Sequence, residues 1–294
     1  MKAESLLTQT KRLLRRFDLR ARKGLGQHFL IDEEVLKLVA SSAELIPSDI
    51  VIEVGSGLGV LTRELARQAG RLFAVELDSK LAAILKKNLA SFSNVTVINE
   101  DILKIDPEAV LHEEQMTFPT PVSSPFSYKI VANLPYYITS PVLRHFLEAS
   151  LKPRLMVVMV QKEVAEAIVA GSGQMSVLSV SVQFYGQPEI ISYVPARCFY
   201  PAPEVDSAIL RVMVYSKPAV DVSEEDFFRL VRAGFTASRK QLCNSLSQGL
   251  KLPKAEVLSI LEQAGIVPKR RAETLTLEEW ANLWRVFTQL EEGR

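Results

Sequence analysis

Cysteine is scarce in this chain of 294 residues: only Cys198 and Cys243 occur, too few for a disulfide framework, and a reducing compartment fits. Histidine is scarce too. His28, His112 and His145 are widely spaced with no cysteine cluster beside them, which argues against a zinc centre and against histidine acid/base chemistry. No apolar run approaches the roughly 20 residues that a membrane span needs. Nor is there an excess of charge of one sign, since the formal net charge is +1. What remains, 48% hydrophobic and 23% charged residues, is the composition of a soluble globular protein long enough for one large domain and a smaller one.

The neutral balance hides a basic arm. The first 23 residues hold eight basic side chains (Lys2, Lys11, Arg12, Arg15, Arg16, Arg20, Arg22, Lys23) against Glu4 and Asp18. Such an arm is a solvated tail, an organelle transit segment or a contact for an anionic ligand, and it lacks the apolar core of a secretory signal. Gly24, Gly26, Gln27 and His28 then precede an amphipathic helix whose apolar face carries Val35, Leu36, Leu38 and Val39.

Residues 49–54 read as a buried strand. It runs into Gly55-Ser56-Gly57-Leu58-Gly59, a helix to about residue 69, a second strand at 71–75 and Glu76. The 21 residues from Gly55 to Glu76 match the separation of glycine turn and ribose-binding acid in a doubly wound sheet, although GxGxG departs from the dinucleotide GxGxxG. A third unit has a helix at 81–89 and a strand at 95–99. It ends on Asp101 and Ile102, where an acid accepts from an adenine amine and an aliphatic side chain packs on the ring, or where Asp101 merely caps a helix. A proline-rich stretch, 118–125, follows as a loop.

The strand at 128–132 then delivers Asn133-Leu134-Pro135-Tyr136. An exocyclic purine amine has its lone pair delocalised into the ring, so it attacks poorly unless the pyramidal form is favoured. The Asn133 side-chain oxygen and the Leu134 carbonyl are placed to accept its two hydrogens, with Pro135 fixing the turn and Tyr136 offering a ring face. Alone, the tetrapeptide reads as an ordinary strand-ending turn. Helix 140–149, strand 154–160 and a helix opening at 161–163 continue the alternation, which predicts a mostly parallel, three-layer α/β domain. Residues 176–185 suit strand or helix. Strands at 189–194 and 208–214 flank the stiffened loop Phe199-Tyr200-Pro201-Ala202-Pro203-Glu204, where Phe199 is either core or a second wall opposite Tyr136. Residues 216–220 read as a linker, and the rest is helical, with capping-box starts at Ser223/Asp226 and Thr276/Glu279 and basic clusters at Arg239-Lys240 and Lys269-Arg270-Arg271. Such clusters are solvated faces or part of a phosphate-binding surface.

Taken together, the Gly24-to-Leu30 stretch, Glu53 through Gly59, Glu76, Asp101, Asn133 through Tyr136 and Phe199 through Ser207 resemble the rRNA adenine N6-dimethyltransferases from about Arg22 onward. The resemblance implies a basic arm (1–23), a class I, Rossmann-like methyltransferase domain (24–217) and a small all-helical domain (218–294), with 176–185 helical. It implies S-adenosylmethionine as methyl donor, S-adenosylhomocysteine as product and no metal. Matching positions make Gln27, His28, Leu30, Gly55, Gly57, Glu76, Asp101, Ile102 and Asn133 cofactor contacts, and Asn133, Leu134, Pro135, Tyr136 and Phe199 the target-adenine slot. The implied substrate is two adjacent adenosines in a hairpin near the 3′ end of small-subunit (16S) rRNA, each methylated twice within a pre-30S particle by a cytoplasmic monomer. Three departures stand out: His28 occupies a position where many relatives carry Asn, moving its expected contact to the backbone; Glu204 replaces a usual basic residue, which argues against a phosphate contact there; and the proline-rich stretch before Asn133 is longer than usual. The alternatives are an Erm-type enzyme acting on large-subunit rRNA and a non-catalytic assembly factor, the latter at odds with intact glycines, Glu76 and Asn133.

Overall fold

A computed structural model describes residues 4–19, 21–22, 26–117 and 127–292. Gly24, Leu25 and all of the proline-rich stretch lie outside the described residues, as do Lys2, Arg20 and Lys23 of the arm. The chain divides into two compact units, Met1–Ala165 with Glu189–Val214, and Glu166–Pro188 with Tyr215–Arg294. In space, therefore, residues 166–188 go with the C-terminal helices, whereas the sequence expectation placed a single cut after residue 217.

The first unit runs α1 (Leu6–Arg16), β1 (Phe29–Leu30), α2 (Glu33–Ser42), β2 (Ile50–Val54), α3 (Val60–Ala66), β3 (Arg71–Val75), α4 (Ser79–Asn88), β4 (Val95–Ile98), α5 (Pro107–Thr117), β5 (Tyr128–Asn133), α6 (Thr139–Leu147) and β6 (Leu155–Gln161). After α7 (Lys162–Val169), α8 (Val177–Tyr185) and β7 (Gly186–Val194), the chain forms β8 (Phe199–Tyr200) and β9 (Ser207–Val214). The main sheet has the order β4-β3-β2-β5-β6-β9-β7. Strands β4 to β6 are parallel and β9 is antiparallel to β6. This is the mostly parallel arrangement expected, and it explains why β2, β5 and β6 read as near-continuous apolar runs: both their faces are covered.

Because β2 connects outward to β3 and β4 while β5 lies on its other side, the strand order reverses between β2 and β5. The carboxyl ends flanking that switch point are where open α/β sheets bind ligands. They carry the glycine turn and Asn133.

The arm is not merely a tail. Within it, Leu6 to Arg16 form α1, capped by the Ser5 side chain accepting from the Thr8 N–H at 3.3 Å. Leu14 is buried with Phe29, Leu58 and Leu81. Spacing among Leu6, Thr10, Leu13 and Leu14 is the helical signal that the excess of charge obscures. In α2, Leu36 and Val39 are buried as expected, but Leu38 is 36% exposed, because a ten-residue helix shows the sheet only one stripe.

In the second unit, α8 settles the ambiguity of residues 176–185. Ser176 and Ser179 form a reciprocal capping box, and Phe184 packs within 5.0 Å of the Phe227 ring, so tertiary packing overrides the strand propensity of the valines. The expected linker is tied down too: the N–H groups of Tyr215 and Ala219 donate to the Tyr185 and Phe184 carbonyls, each at 2.8 Å. Helices α9 (Glu224–Phe235), α10 (Leu242–Leu250), α11 (Lys254–Gln263) and α12 (Leu277–Glu292) complete it. The Thr276/Glu279 capping box forms with both bonds, 2.9 and 3.2 Å, whereas the Ser223 hydroxyl donates to the Asp226 carboxylate instead of accepting from a helix N–H. Arg270 is paired with Glu279, which removes it from the basic cluster, while Lys269 and Arg271 stay exposed.

One charge in β5 holds the amino-terminal edge of the sheet. Lys129 is 3% exposed, and its ammonium donates to the Ala43 carbonyl (2.7 Å), the Glu44 carbonyl (2.6 Å) and Asp49 Oδ2 (2.9 Å). Three donors meet three acceptors, so the charge is fully satisfied and the end of α2 is fastened to the sheet. Lys129→Met leaves a buried carbonyl, a part-buried one and part of the Asp49 charge without this partner. Its expected effect is a loss of about 3 kcal/mol in denaturant unfolding; an unchanged midpoint and slope would refute the clamp.

Candidate active site

A cavity of about 370 Å³ opens at the carboxyl ends of β2, β3 and β5, lined by residues from 26–30, 53–61, 75–81, 100–103 and 133–138. Every residue expected at the cofactor or in the target slot lines it, with Phe199 the exception.

The glycine turn follows from backbone geometry. Gly57 and Gly59 have φ of 56° and 81°, in the left-handed region that a side chain strains to enter. The Gly57 N–H donates to Glu76 Oε2 at 2.8 Å, and Oε1 of the same carboxylate accepts from the Asp78 N–H at 2.8 Å. Glu76 thus brackets the turn against the end of β3. Burial raises its pKa, and the Asp78 and Gly57 donors offset part of that rise. Asp101 combines both readings: it lines the cavity while Oδ1 caps a short 3₁₀ turn by accepting from the Leu103 N–H at 3.1 Å.

At the end of β5, the side-chain nitrogen of Asn133 donates to the His28 carbonyl at 2.9 Å. A carbonyl only accepts, so the amide orientation is determined and Oδ1 is left on the other side as an acceptor. Leu134 is buried, its N–H held by the Met159 carbonyl at 3.1 Å. The Tyr136 hydroxyl pairs with Ser207 Oγ at 2.7 Å, and burial raises its pKa. Gln27 is likewise fixed, its side-chain oxygen accepting from the Arg22 N–H at 2.9 Å.

Phe199 is not among the residues that line the cavity. Its residue pairs with Leu30 across the two-stranded β1–β8 sheet, and its ring is 3% exposed in the apolar core. The physical reason is the preference of a ring for a dry interior once its strand has a partner. The ring that lies on Tyr136 is His28, with centroids 5.8 Å apart and planes at 24°, and its Nδ1–H donates to the Pro201 carbonyl at 2.7 Å. Sequence spacing gives no signal for that stack, since the two residues are more than a hundred positions apart.

Among the described residues no lysine or arginine lines the cavity, while Glu53, Glu76, Glu100 and Asp101 all do. Among the described residues, no three His, Cys, Asp or Glu side chains are grouped to hold a metal, and no helix is long and apolar enough to cross a membrane.

Known proteins resemble this chain over most of its length. A family model described as ribosomal RNA adenine dimethylase matches residues 18–289. The ribosomal RNA small subunit methyltransferase A of Dehalococcoides mccartyi is 52% identical over 97% of this chain and 94% of its own length. The protein of the same name from Bacillus mycoides is 43% identical over 96% and 97%. Among solved structures, the 23S rRNA methyltransferase ErmE superposes with a TM-score of 0.68 at 30% identity, covering 89% of this chain and all of that one. A dimethyladenosine transferase from Plasmodium falciparum, with a TM-score of 0.72 at 24% identity over 89% and 98%, shares the fold.

One lining residue has no role in the sequence reading beyond its place in the glycine motif. Glu53, in β2, is 1% exposed, and its Oε2 has no hydrogen-bond partner. Burial pushes its pKa up from 4.5 to about 7, outweighing the Thr62 and Ser56 hydroxyls beside it, which lower it, and the Glu76 charge adds to the rise. A charge in an otherwise apolar strand is the available signal. The folded chain holds this proton more tightly than the unfolded chain does, so the stability of the ligand-free protein declines as pH rises from about 4.5 through 7. Glu53→Gln abolishes that dependence, and its unfolding free energy relative to wild type rises by about 3 kcal/mol between pH 4 and pH 8. A difference that stays flat with pH would disprove it.

Proposed function

The chain belongs to the ribosomal RNA adenine dimethylase family, and from that premise we propose that it dimethylates N6 of two adjacent adenosines near the 3′ end of small-subunit rRNA, acting on a pre-30S particle as a monomer. The relatives named for the small subunit, at 43 to 52% identity, favour that substrate over the large-subunit rRNA of the 30%-identical structural neighbour.

The cavity's chemistry fits S-adenosylmethionine. Four carboxyl groups and, among the described residues, no lysine or arginine suit a ligand that carries a sulfonium and an ammonium. When bound, the cofactor supplies a sulfonium methyl. On this reading Glu76 accepts from the ribose hydroxyls, Asp101 accepts from the cofactor's adenine amine and Ile102 packs on that ring. Gly55 and Gly57 let the backbone approach closely, and Gln27, His28 and Leu30 line the remaining side.

The observation that carries the proposal is the determined amide of Asn133. With its nitrogen held by the His28 carbonyl, Oδ1 is presented as an acceptor. Together with the Leu134 carbonyl, it accepts the hydrogens of the target amine and turns the nitrogen lone pair outward. Tyr136 offers its ring to an unstacked base. No general base is needed in advance, because the nitrogen becomes acidic as it is alkylated and loses its proton to water. The work of the site is orientation, worth on the order of 7–11 kcal/mol in ideal intramolecular cases.

Purified protein should transfer labelled methyl groups from S-adenosylmethionine to unmethylated small-subunit particles and yield N6,N6-dimethyladenosine. Label confined to large-subunit rRNA would establish the Erm-type alternative, and no label in any rRNA the non-catalytic one. Asn133→Ala is expected to lower kcat by about 10²- to 10³-fold, as removal of an aligned polar group does, with the fold retained by circular dichroism. Near-normal turnover would end the amine-orienting role.

A further inference from the structure

Beside the target cavity lies a groove of about 450 Å³ between α1 and the Tyr200–Pro201 segment, lined by Lys11, Leu14, Arg15, Asp18, Tyr200 and Pro201 among others. Its walls are built. Helix α1 is seated by Leu14 against Phe29, Leu58 and Leu81, with Leu13, Leu19 and Tyr200 packed around them, so the charged face of the helix is presented from a fixed position. Lys11 and Arg15, one helical turn apart, share that face. The Lys11 ammonium lies 5.2 Å from the centre of the Tyr200 ring. Asp18 contributes one carboxylate, so among the described residues the lining has two cations against one anion.

The groove and the target cavity share a wall. Tyr200 is the strand partner of Phe29, which lines the cavity, and the next carbonyl, that of Pro201, accepts from His28 Nδ1–H. An aromatic ring beside two cations is the combination that holds a single-stranded nucleotide, the ring stacking a base and the cations meeting phosphates. We propose that this groove binds the RNA strand flanking the target adenosine, with the Tyr200 ring stacking the neighbouring base and Lys11 and Arg15 contacting its phosphates. The site rests on the RNA reading of the target cavity, and it gives the basic arm a defined task as a rigid half of a nucleotide clamp.

The test uses the full chain with unmethylated small-subunit particles, measuring kcat, KM for particles across a salt series, and the Kd of S-adenosylmethionine. Lys11→Ala/Arg15→Ala changes only partly or fully exposed side chains; it should raise the particle KM and flatten the log–log salt slope by about 1.4, or about 0.7 for each single-strand phosphate that is no longer neutralised. Tyr200→Ala should raise the particle KM by about tenfold or more, while Tyr200→Phe, which keeps the ring, should restore it. In all three the cofactor Kd should match wild type. An unchanged salt slope and KM in the double variant overturns the site. So does a KM defect that is matched by an equal loss of cofactor affinity. Absence of any methyl transfer by the wild-type chain would remove the RNA reading itself, and this site with it.

Discussion

The hydrogen bond from the Asn133 side chain to the His28 carbonyl joins two segments that belong to different sheets and are not paired as strands. Asn133 ends β5, a strand buried over its preceding five residues, so its backbone position is set by the ladder to β2 and β6. His28 precedes β1, whose partner is β8. The bond therefore transmits the register of the main sheet to the small one, and through Nδ1 of His28 on to the Pro201 carbonyl. A net contribution of about 1 kcal/mol is typical for such a bond. Its structural leverage is larger, because it also decides which face of the amide looks outward.

The opposite wall of the cavity depends on a carboxylate in a similar way. Glu76 accepts from two backbone N–H groups, one in the glycine turn and one at the start of α4. Both bonds favour the ionised form, whereas burial disfavours it, and burial is the larger effect. Glu53, more deeply buried and without equivalent donors, lies further toward the neutral form. The two acids differ only in their surroundings. A cavity that keeps one carboxyl group poised near neutrality suits a cationic ligand, whose arrival supplies the missing counter-charge.

Much of this architecture is legible in the sequence. Continuous apolar runs locate the strands, and the interval from Gly55 to Glu76 places the crevice, because both patterns are local consequences of sheet geometry. Pairings between distant segments are not legible in that way. Lys129 reads as an intrusion into an apolar strand until Asp49 and the end of α2 are seen around it. Residue type alone ranks Phe199 above His28 for the slot; which ring meets Tyr136 is decided by the β1–β8 pairing, two residues long and invisible to periodicity. Helix α1 is masked by its own charges, since its basic residues outnumber the leucines that seat it.

On the proposed assignment, two acceptors at the target nitrogen have a consequence for double methylation. The unmodified amine offers two hydrogens, to Asn133 Oδ1 and the Leu134 carbonyl. After one transfer a single hydrogen remains, which is enough to keep the nitrogen oriented by one acceptor. After the second there is none, and both acceptors face a tertiary amine that cannot donate. A buried acceptor left unsatisfied costs about 1–3 kcal/mol, so the dimethylated base is held more weakly than either of its precursors. The same pair of oxygens that prepares the nitrogen for attack thereby loses one hydrogen bond at each transfer and has none left only when no further attack is possible, and that gradient favours retention after one transfer and release after two.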